Sequence, residues 1–301
     1  MGRGAAMRRG LLALLLPWLL AACAQEVRLA PTPTLYRGGA PYPVEGVPVA
    51  QRASVASLLY VTDRAPIAGA EGGVAGYGFS RSQSMAFGVS RMRFGDAADW
   101  QTTLAESLGE GSGRGLRLAL LDSTEIVRWP ATPLPVAEGA SQPERAVTAR
   151  YRSQSESFQQ TLAREMRLTR QRNVVLFIHG YRSSFADAMG SLANIWHYAG
   201  RRGVPVLYSW PASNPGLFGY FRDRESAEFS VYHLKETLRL LASTPGLERI
   251  DLIAHSRGAE VATAALREMS IGLRAGGRNP RRALKIENLI LAAPDIDLGI
   301  A

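Results

Sequence analysis

The spacing of apolar residues changes near the middle of the chain. In the first half, short apolar stretches at 57–62, 85–92 and 116–121 are separated by segments rich in glycine and proline, a pattern typical of strands joined by loops. In the second half, amphipathic segments alternate with continuous apolar runs. Helices are predicted at 153–170, 184–200, 224–242 and 258–268, and strands at 174–178, 204–209, 250–254 and 289–292.

The second half predicts a mainly parallel sheet. Residues 174–178 are apolar at every position, as expected for a strand that is buried on both faces. Strands that alternate with helices are joined by right-handed crossovers, which place the helices on both faces of the sheet. The predicted fold class is therefore α/β, with a mostly parallel sheet covered by helices on both sides.

Composition agrees with a globular domain and excludes some partners. Hydrophobic residues make up 46% of the chain and charged residues 20%. The net charge of +9 is carried almost wholly by arginine, because Lys235 and Lys285 are the only lysines. The arginines are spread along the chain rather than gathered in a dense basic stripe, so we expect no nucleic-acid partner.

The first residues predict an envelope protein. Arg3, Arg8 and Arg9 precede an apolar stretch at 11–20 that is too short to span a bilayer comfortably. The sequence LAAC that follows resembles a bacterial lipobox, which predicts a signal peptide at 1–22 and lipidation, as by palmitate, of Cys23. An ordinary signal peptide or an uncleaved anchor with an incidental cysteine are the alternatives.

The residue after the lipobox bears on location. Ala24, rather than an aspartate, is similar to outer-membrane sorting, so we expect a lipid anchor in the outer membrane that faces the periplasm. Residues 23–53 are rich in proline and are predicted to be a tether from the membrane to a domain at 54–301.

A serine follows one of the predicted strands. The apolar run at 250–254 leads into Ser256, with Ala254 and Gly258 in the two small positions of G-x-S-x-G and alanine in place of the first glycine. A sharp strand-to-helix turn strains the backbone of such a serine and leaves no room for large neighbours. Ser256 is the predicted nucleophile; a helix-capping serine is the alternative.

A second segment predicts an oxyanion site. Tyr181 follows His179 and Gly180 directly after the strand at 174–178. In a site of this type, one N–H comes from the residue after the nucleophile, here Arg257, and the other from the loop after an earlier strand. The N–H groups of Tyr181 and Arg257 are therefore the predicted donors, while an ordinary turn at Gly180 is the alternative.

An ordered set of motifs runs through the chain: YVTDR at 60–64, VLFIHGY at 175–181, YSWP at 208–211, DRESA at 223–227, AHSRG at 254–258 and AAPDID at 292–297. Together they resemble an uncharacterised bacterial family of the α/β-hydrolase superfamily, of the DUF900 type. The resemblance covers roughly residues 55–301 and implies an α/β-hydrolase fold with esterase- or lipase-like activity.

The catalytic acid and base are harder to assign. The superfamily order is serine, acid, histidine, and none of the four histidines follows Ser256. The chain therefore has the expected appearance of a domain without its final strands and without the catalytic histidine. Asp295 is a candidate for the catalytic acid, Asp297 is an alternative, and an acid in a region outside the chain is a third possibility. The non-catalytic alternative is that the aspartate caps a helix or stabilises a turn.

The histidines in the chain have simpler predicted roles. His255 is expected to be a packing residue and His179 to support the oxyanion loop. His197 and His233 lie on predicted helices and are expected at the surface or between helices.

The predicted function is hydrolysis of carboxylic esters or thioesters, from small molecules or lipids, at the cell envelope. The alternative is a non-catalytic envelope lipoprotein that retains the hydrolase scaffold. We expect no cofactor and no metal, because the sequence has no histidine pair at ligand spacing, no cysteine cluster and no phosphate-binding glycine fingerprint. The oligomeric state is left open.

Overall fold

The computed structural model describes residues 27–69, 72–96, 99–110, 116–212 and 219–296. The strands of its sheet are β1 Val55–Ala68, β2 Val74–Phe94, β3 Leu118–Arg128, β4 Asn173–Ile178, β5 Val204–Ser209, β6 Arg249–His255 and β7 Ile286–Ala292. The helices are α1 Thr34–Arg37, α2 Trp100–Ser107, α3 Arg145–Thr169, α4 Phe185–Tyr198, α5 Gly219–Ser243, α6 Gly258–Ala275 and α7 Pro280–Leu284.

The strand order in the sheet is β3-β2-β1-β5-β4-β6-β7. Strands β1 to β3 form an antiparallel meander, and β1 joins the parallel strands through its pairing with β5. Strands β5, β4, β6 and β7 are all parallel to one another. The predicted α/β class with a mostly parallel sheet is confirmed.

The chain reverses its direction across the sheet at β4. From β4 it crosses to β5 on one side, and from β5 it passes to β6 on the other side of β4. Helix α4 packs on one face through residues such as Leu192, whereas α5 and α6 pack on the other through residues such as Leu234 and Val261. A crevice therefore opens between the carboxyl ends of β4 and β6, the place where open α/β sheets bind their ligands.

Each predicted strand overlaps an observed one, although β3 begins at Leu118 rather than at 116, and several elements are longer than predicted. Helix α3 begins at Arg145 rather than near 153, and α5 begins at Gly219 rather than near 224. The capping box predicted at the start of α4 is present, with Ser184 and Asp187 bonded reciprocally. Gly200 follows the end of α4 with φ of 77°, a left-handed conformation that glycine adopts without steric cost.

The proline-rich segment differs from the predicted tether, because its described part packs on the domain. Leu29 and Tyr42 are buried, and the Leu29 N–H donates to the Leu116 carbonyl at 2.8 Å. Tyr42 donates through its hydroxyl to the carbonyl of His197 at 2.6 Å, at the end of α4. These apolar residues stand singly between prolines, so the sequence shows no periodicity by which their docking can be predicted.

Some sequence predictions concern residues outside the described ranges. The signal peptide at 1–22, Cys23 and Asp297 all lie there. Among the helices that the structure describes, none has both the length and the apolar character needed to cross a bilayer.

Candidate active site

Ser256 occupies a strained turn between β6 and α6. Its φ is 50°, a left-handed value that costs a non-glycine residue about 1–3 kcal/mol. The Ser256 N–H donates to the Ala292 carbonyl at 3.0 Å, and its own carbonyl accepts from the N–H groups of Ala259 at 2.9 Å and Asp295 at 3.2 Å. These bonds hold the turn in the conformation predicted for a nucleophile elbow.

Two glycines allow the end of β4 to approach this turn closely. A Cβ atom on Gly258 would lie 2.4 Å from the carbonyl oxygen of His179 and 2.7 Å from that of Ile178. A Cβ atom on Gly180 would lie 2.9 Å from the Cβ of Ser256. The structure therefore brings together the two segments that the sequence singled out, and glycine is the residue that fits at each contact.

Two backbone N–H groups beside Ser256 have no internal acceptor. Among the described residues, neither the N–H of Tyr181 nor that of Arg257 donates a hydrogen bond to the protein. Arg257 immediately precedes the first residue of α6, where the helix dipole adds partial positive charge. These are the two donors predicted to stabilise an oxyanion.

His179 is a buried part of the scaffold. Its ring stacks on Trp210 at 5.3 Å, and its Nδ1 lies 2.9 Å from the Gly180 carbonyl. Burial and the nearby charge of Arg64 lower the pKa of His179 to about 3, so the ring is neutral. With Nδ1 donating to Gly180, Nε2 accepts from Arg64, which leaves the ring unable to act as a base.

Arg64 is a buried residue that connects the segments around the site. It donates to the carbonyl of Ser183 at 2.7 Å, to that of Ala212 at 3.1 Å and to Ser209 Oγ at 2.8 Å. Ser183 and Ala212 belong to the loops that follow β4 and β5, and Ser209 is the last residue of β5, so one side chain from β1 ties both loops together. Apart from its place in the motif at 60–64, no local pattern predicts this role for Arg64.

Asp295 lies at the elbow but points to an arginine. Its carboxylate forms an ion pair with Arg257 at 2.9 Å, and its side chain is 55% exposed. Arg257 also contacts Glu260 and donates to the Tyr220 hydroxyl at 2.6 Å. Partial burial alone would lower the pKa of Arg257, but Glu260 and Asp295 outweigh it, so the pKa is raised and the guanidinium stays charged.

Aromatic side chains form a wall beside this cluster. The ring of Tyr220, in the first turn of α5, meets the ring of Tyr181 edge to face at 5.5 Å. The guanidinium of Arg257 lies over the same Tyr220 ring at 5.4 Å. A groove of about 370 Å³ continues past Arg257 along α6, between Arg267 and Asp295. The sequence does not predict a place for Tyr220 at the site, because this residue follows a segment without a periodic pattern.

The remaining histidines agree only in part with their predicted placement, because the surface alternative does not hold for His197 and His233. His255 is exposed rather than packed in the core. His197 and His233 are buried, not at the surface. His197 lies among aromatic rings and accepts from Arg201 at 3.2 Å, and His233 bonds through Nδ1 to the buried carboxylate of Asp63 at 3.1 Å. Both are enclosed because they fall on the helix faces that meet the sheet.

The hydroxyl of Ser256 has no side-chain partner among the residues that the structure describes. Within them, no side chain forms a hydrogen bond with Ser256 Oγ. No group of three or more histidine, cysteine or carboxylate side chains in the same part of the chain is placed to hold a metal ion.

Comparison with known proteins agrees with this architecture. The model of the family described as "Alpha/beta hydrolase of unknown function (DUF900)" matches residues 154–301, which contain β4 to β7 and the elbow. No curated protein and no solved structure matches the chain. Together with the sheet topology, the match shows that residues 154–301 are similar to this family of α/β hydrolases of unknown function and share its fold class.

Proposed function

We propose that the protein is a serine hydrolase that acts on carboxylic esters or thioesters at the bacterial cell envelope. The observation that carries the proposal is the strained Ser256 turn beside two N–H groups that have no acceptor among the described residues. Such a pair of donors at a helix start is the arrangement that stabilises the oxyanion of acyl transfer.

The chemistry follows from this arrangement. Ser256 Oγ attacks the acyl carbon and loses its proton to a base, while the carbonyl oxygen becomes an oxyanion held by the N–H groups of Tyr181 and Arg257. Collapse of this intermediate expels the alcohol or thiol, which takes up the proton, and leaves an acyl-serine. Water then releases the acid by the same steps in reverse order.

We propose that the base is a histidine, as the resemblance implies, and that it is none of the four at 179, 197, 233 and 255. His179 is committed to Gly180 and Arg64, and none of the other histidines of the chain reaches Ser256 Oγ. Asp295 is retained as the acid because it follows the strand next to β6. To bind the imidazole ring of such a histidine, the Asp295 carboxylate must first give up its ion pair with Arg257.

A second candidate function has one observation in its favour. Because no described side chain bonds to Ser256 Oγ, the fold is equally compatible with a lipoprotein that keeps the hydrolase scaffold without catalysis. The two candidates differ in the reactivity of Ser256. In a hydrolase, a nucleophilic Ser256 beside an oxyanion site reacts with an acyl or phosphonyl probe, whereas in a non-catalytic lipoprotein Ser256 does not react.

Labelling with a fluorophosphonate separates them. We expect the probe to modify Ser256, with labelling abolished in Ser256→Ala and retained in Ser157→Ala, a matched change of a half-buried serine in α3. Added imidazole should accelerate labelling of the 301-residue chain, because free imidazole replaces the missing base. Absence of labelling with and without imidazole, under conditions that label a control lipase, would contradict the hydrolase proposal and favour the scaffold.

A further inference from the structure

The docked N-terminal segment bears on how the domain sits at a membrane. The Leu118 N–H donates to the Val27 carbonyl at 2.8 Å, so residue 27 extends the sheet at the start of β3. Phe94 pairs with Leu118, and the Phe94 N–H donates to the Ser54 carbonyl just before β1. Residue 27 therefore lies level with the amino ends of the parallel strands, which we call the amino edge.

Ser256 lies at the opposite edge. In the register of the parallel strands, Ala254 is level with Ile178, Tyr208 and Val61. At a rise of about 3.3 Å per residue, the serine is roughly 30 Å further along the sheet than the docked segment. Cys23 precedes Val27 by four positions, and that length of chain spans at most about 14 Å.

The charge of the amino edge is a second and independent observation. The connections that lead into the parallel strands, all of them described, carry one acidic residue, Glu248, and it is paired with Arg172 at 2.7 Å. The basic residues of these connections are Arg52, Arg170, Arg172, Arg201, Arg202, Arg278, Arg281, Arg282 and Lys285.

Nearly all of these basic side chains face solvent. Arg201 is the buried one, and Lys285 is half-buried. Grooves of about 410 Å³ and 590 Å³ open near them, the first beside Met269 and the second beside Met166. A face that is basic and grooved, and that contains a residue four positions after the predicted lipidation site, is complementary to a layer of anionic headgroups, where each Lys or Arg near the surface contributes about 1 kcal/mol.

We propose that the amino edge rests on an anionic phospholipid surface and holds Ser256 away from the bilayer. Resting on the proposed hydrolase function, the same geometry assigns the substrate class: water-soluble acyl esters or thioesters, rather than lipids of the membrane that carries the anchor. With residue 27 docked, the chain between Cys23 and Val27 is too short to let the opposite edge of the sheet, which carries Ser256 and is called the carboxyl edge, turn toward that membrane.

Fluorescence quenching measures this orientation without reference to activity. Cys23 is the only cysteine, so a second cysteine in the lipidated chain is the only free thiol for a fluorophore. Leu168, at the end of α3, and Phe221, at the start of α5, are matched sites at the two edges, 60% and 62% exposed. Ile271→Cys, 64% exposed near the end of α6, provides a second amino-edge site.

The labelled, lipidated protein is bound to vesicles of phosphatidylethanolamine and phosphatidylglycerol with a nitroxide on the headgroup. We expect loss of fluorescence for Leu168→Cys and Ile271→Cys and little loss for Phe221→Cys. Equal quenching at both edges, stronger quenching at 221, or a full-length protein purified without an acyl chain would overturn the orientation. Quenching is independent of Ser256, so a failure of the proposed hydrolase function leaves this result readable.

A connector variant tests the substrate class on the same vesicles. Insertion of about 40 glycine and serine residues between Cys23 and Val27 adds a span of roughly 35 Å, enough to release the domain. We expect hydrolysis of a vesicle-embedded ester to rise relative to the unmodified chain, while hydrolysis of a soluble p-nitrophenyl ester stays constant. Efficient cleavage of the embedded ester by the unmodified chain would refute the assignment. Imidazole is present in every assay to supply the base; if neither ester is then cleaved, the hydrolase proposal fails and the orientation is still decided by quenching.

Discussion

The contact between Gly258 and the end of β4 gives the sharpest prediction. Helix α6 starts at Gly258, and a methyl group there would stand 2.4 Å and 2.7 Å from the carbonyl oxygens of His179 and Ile178. Both obstacles are main-chain atoms of a central strand and the residue after it, so neither can rotate away as a side chain would. We therefore expect Gly258→Ala to lower the free energy of unfolding by about 3 kcal/mol, the upper end of the usual cost of overpacking.

The same helix contains a matched control. Gly272 lies in α6 with no atom within 4 Å of an added Cβ. Because glycine in a helix interior costs about 1 kcal/mol relative to alanine, Gly272→Ala should stabilise the protein by that amount. Urea unfolding followed by circular dichroism measures both. Equal stability of Gly258→Ala and the wild type would refute the inferred closeness of β4 and the elbow, as would equal destabilisation by both variants.

Three further predictions concern side chains. Burial lowers the pKa of His179 and His197 to about 3, against about 6.5 in an unfolded chain. Above about pH 6.5 both rings are neutral in the folded and the unfolded chain, so the pH does not affect stability through them. Below that pH the unfolded chain binds protons and the folded chain does not, so the free energy of unfolding declines by about 1.4 kcal/mol per pH unit for each ring as the pH falls toward 3. Unfolding measured from about pH 7 to 5 should show this slope, and His197→Gln should halve it. Arg64→Met should cost about 3 kcal/mol or more, because several buried carbonyls lose their donor, whereas the exposed Arg224→Met should cost less than about 1 kcal/mol; equal losses would contradict the connecting role of Arg64. Asp295→Asn should slow imidazole-assisted labelling of Ser256 with a stability change below about 1 kcal/mol; an equal slowing in Glu260→Gln would place the effect on Arg257 instead.

Sequence patterns predicted the parts of the site that are local. The runs at 174–178 and 250–254 are each followed closely by a glycine, Gly180 or Gly258, so the strands, the elbow and the oxyanion segment follow from apolar length and turn chemistry. Their meeting follows from the parallel register, in which Ile178 lies beside Ala254.

Other features depend on contacts between distant segments and have no local pattern. Arg64 reads as a charged residue near the end of a strand, and its burial depends on carbonyls at 78, 183 and 212. His197 follows Trp196 on the buried side of α4, where a polar ring is accepted because Arg201 donates to it. The docking of residues 27–53 likewise depends on acceptors in α4 and at Leu116 and on the N–H of Leu118, which their own sequence does not encode.

The site divides into a main-chain part and a side-chain part, and this division decides what each measurement means. The strand register, together with Gly180 and Gly258, sets the positive φ of Ser256 and the positions of the Tyr181 and Arg257 N–H groups, which have no acceptor among the described residues. These main-chain features persist whether or not a base is present. Catalysts that lose a triad member but keep their oxyanion site retain about 10³–10⁴-fold acceleration over water. A weak, imidazole-dependent reaction of the 301-residue chain is therefore the result expected of a true hydrolase site without its histidine. A scaffold that never acted on esters has no reason to keep two N–H donors aimed beside a strained serine, and it should give no reaction that depends on Ser256.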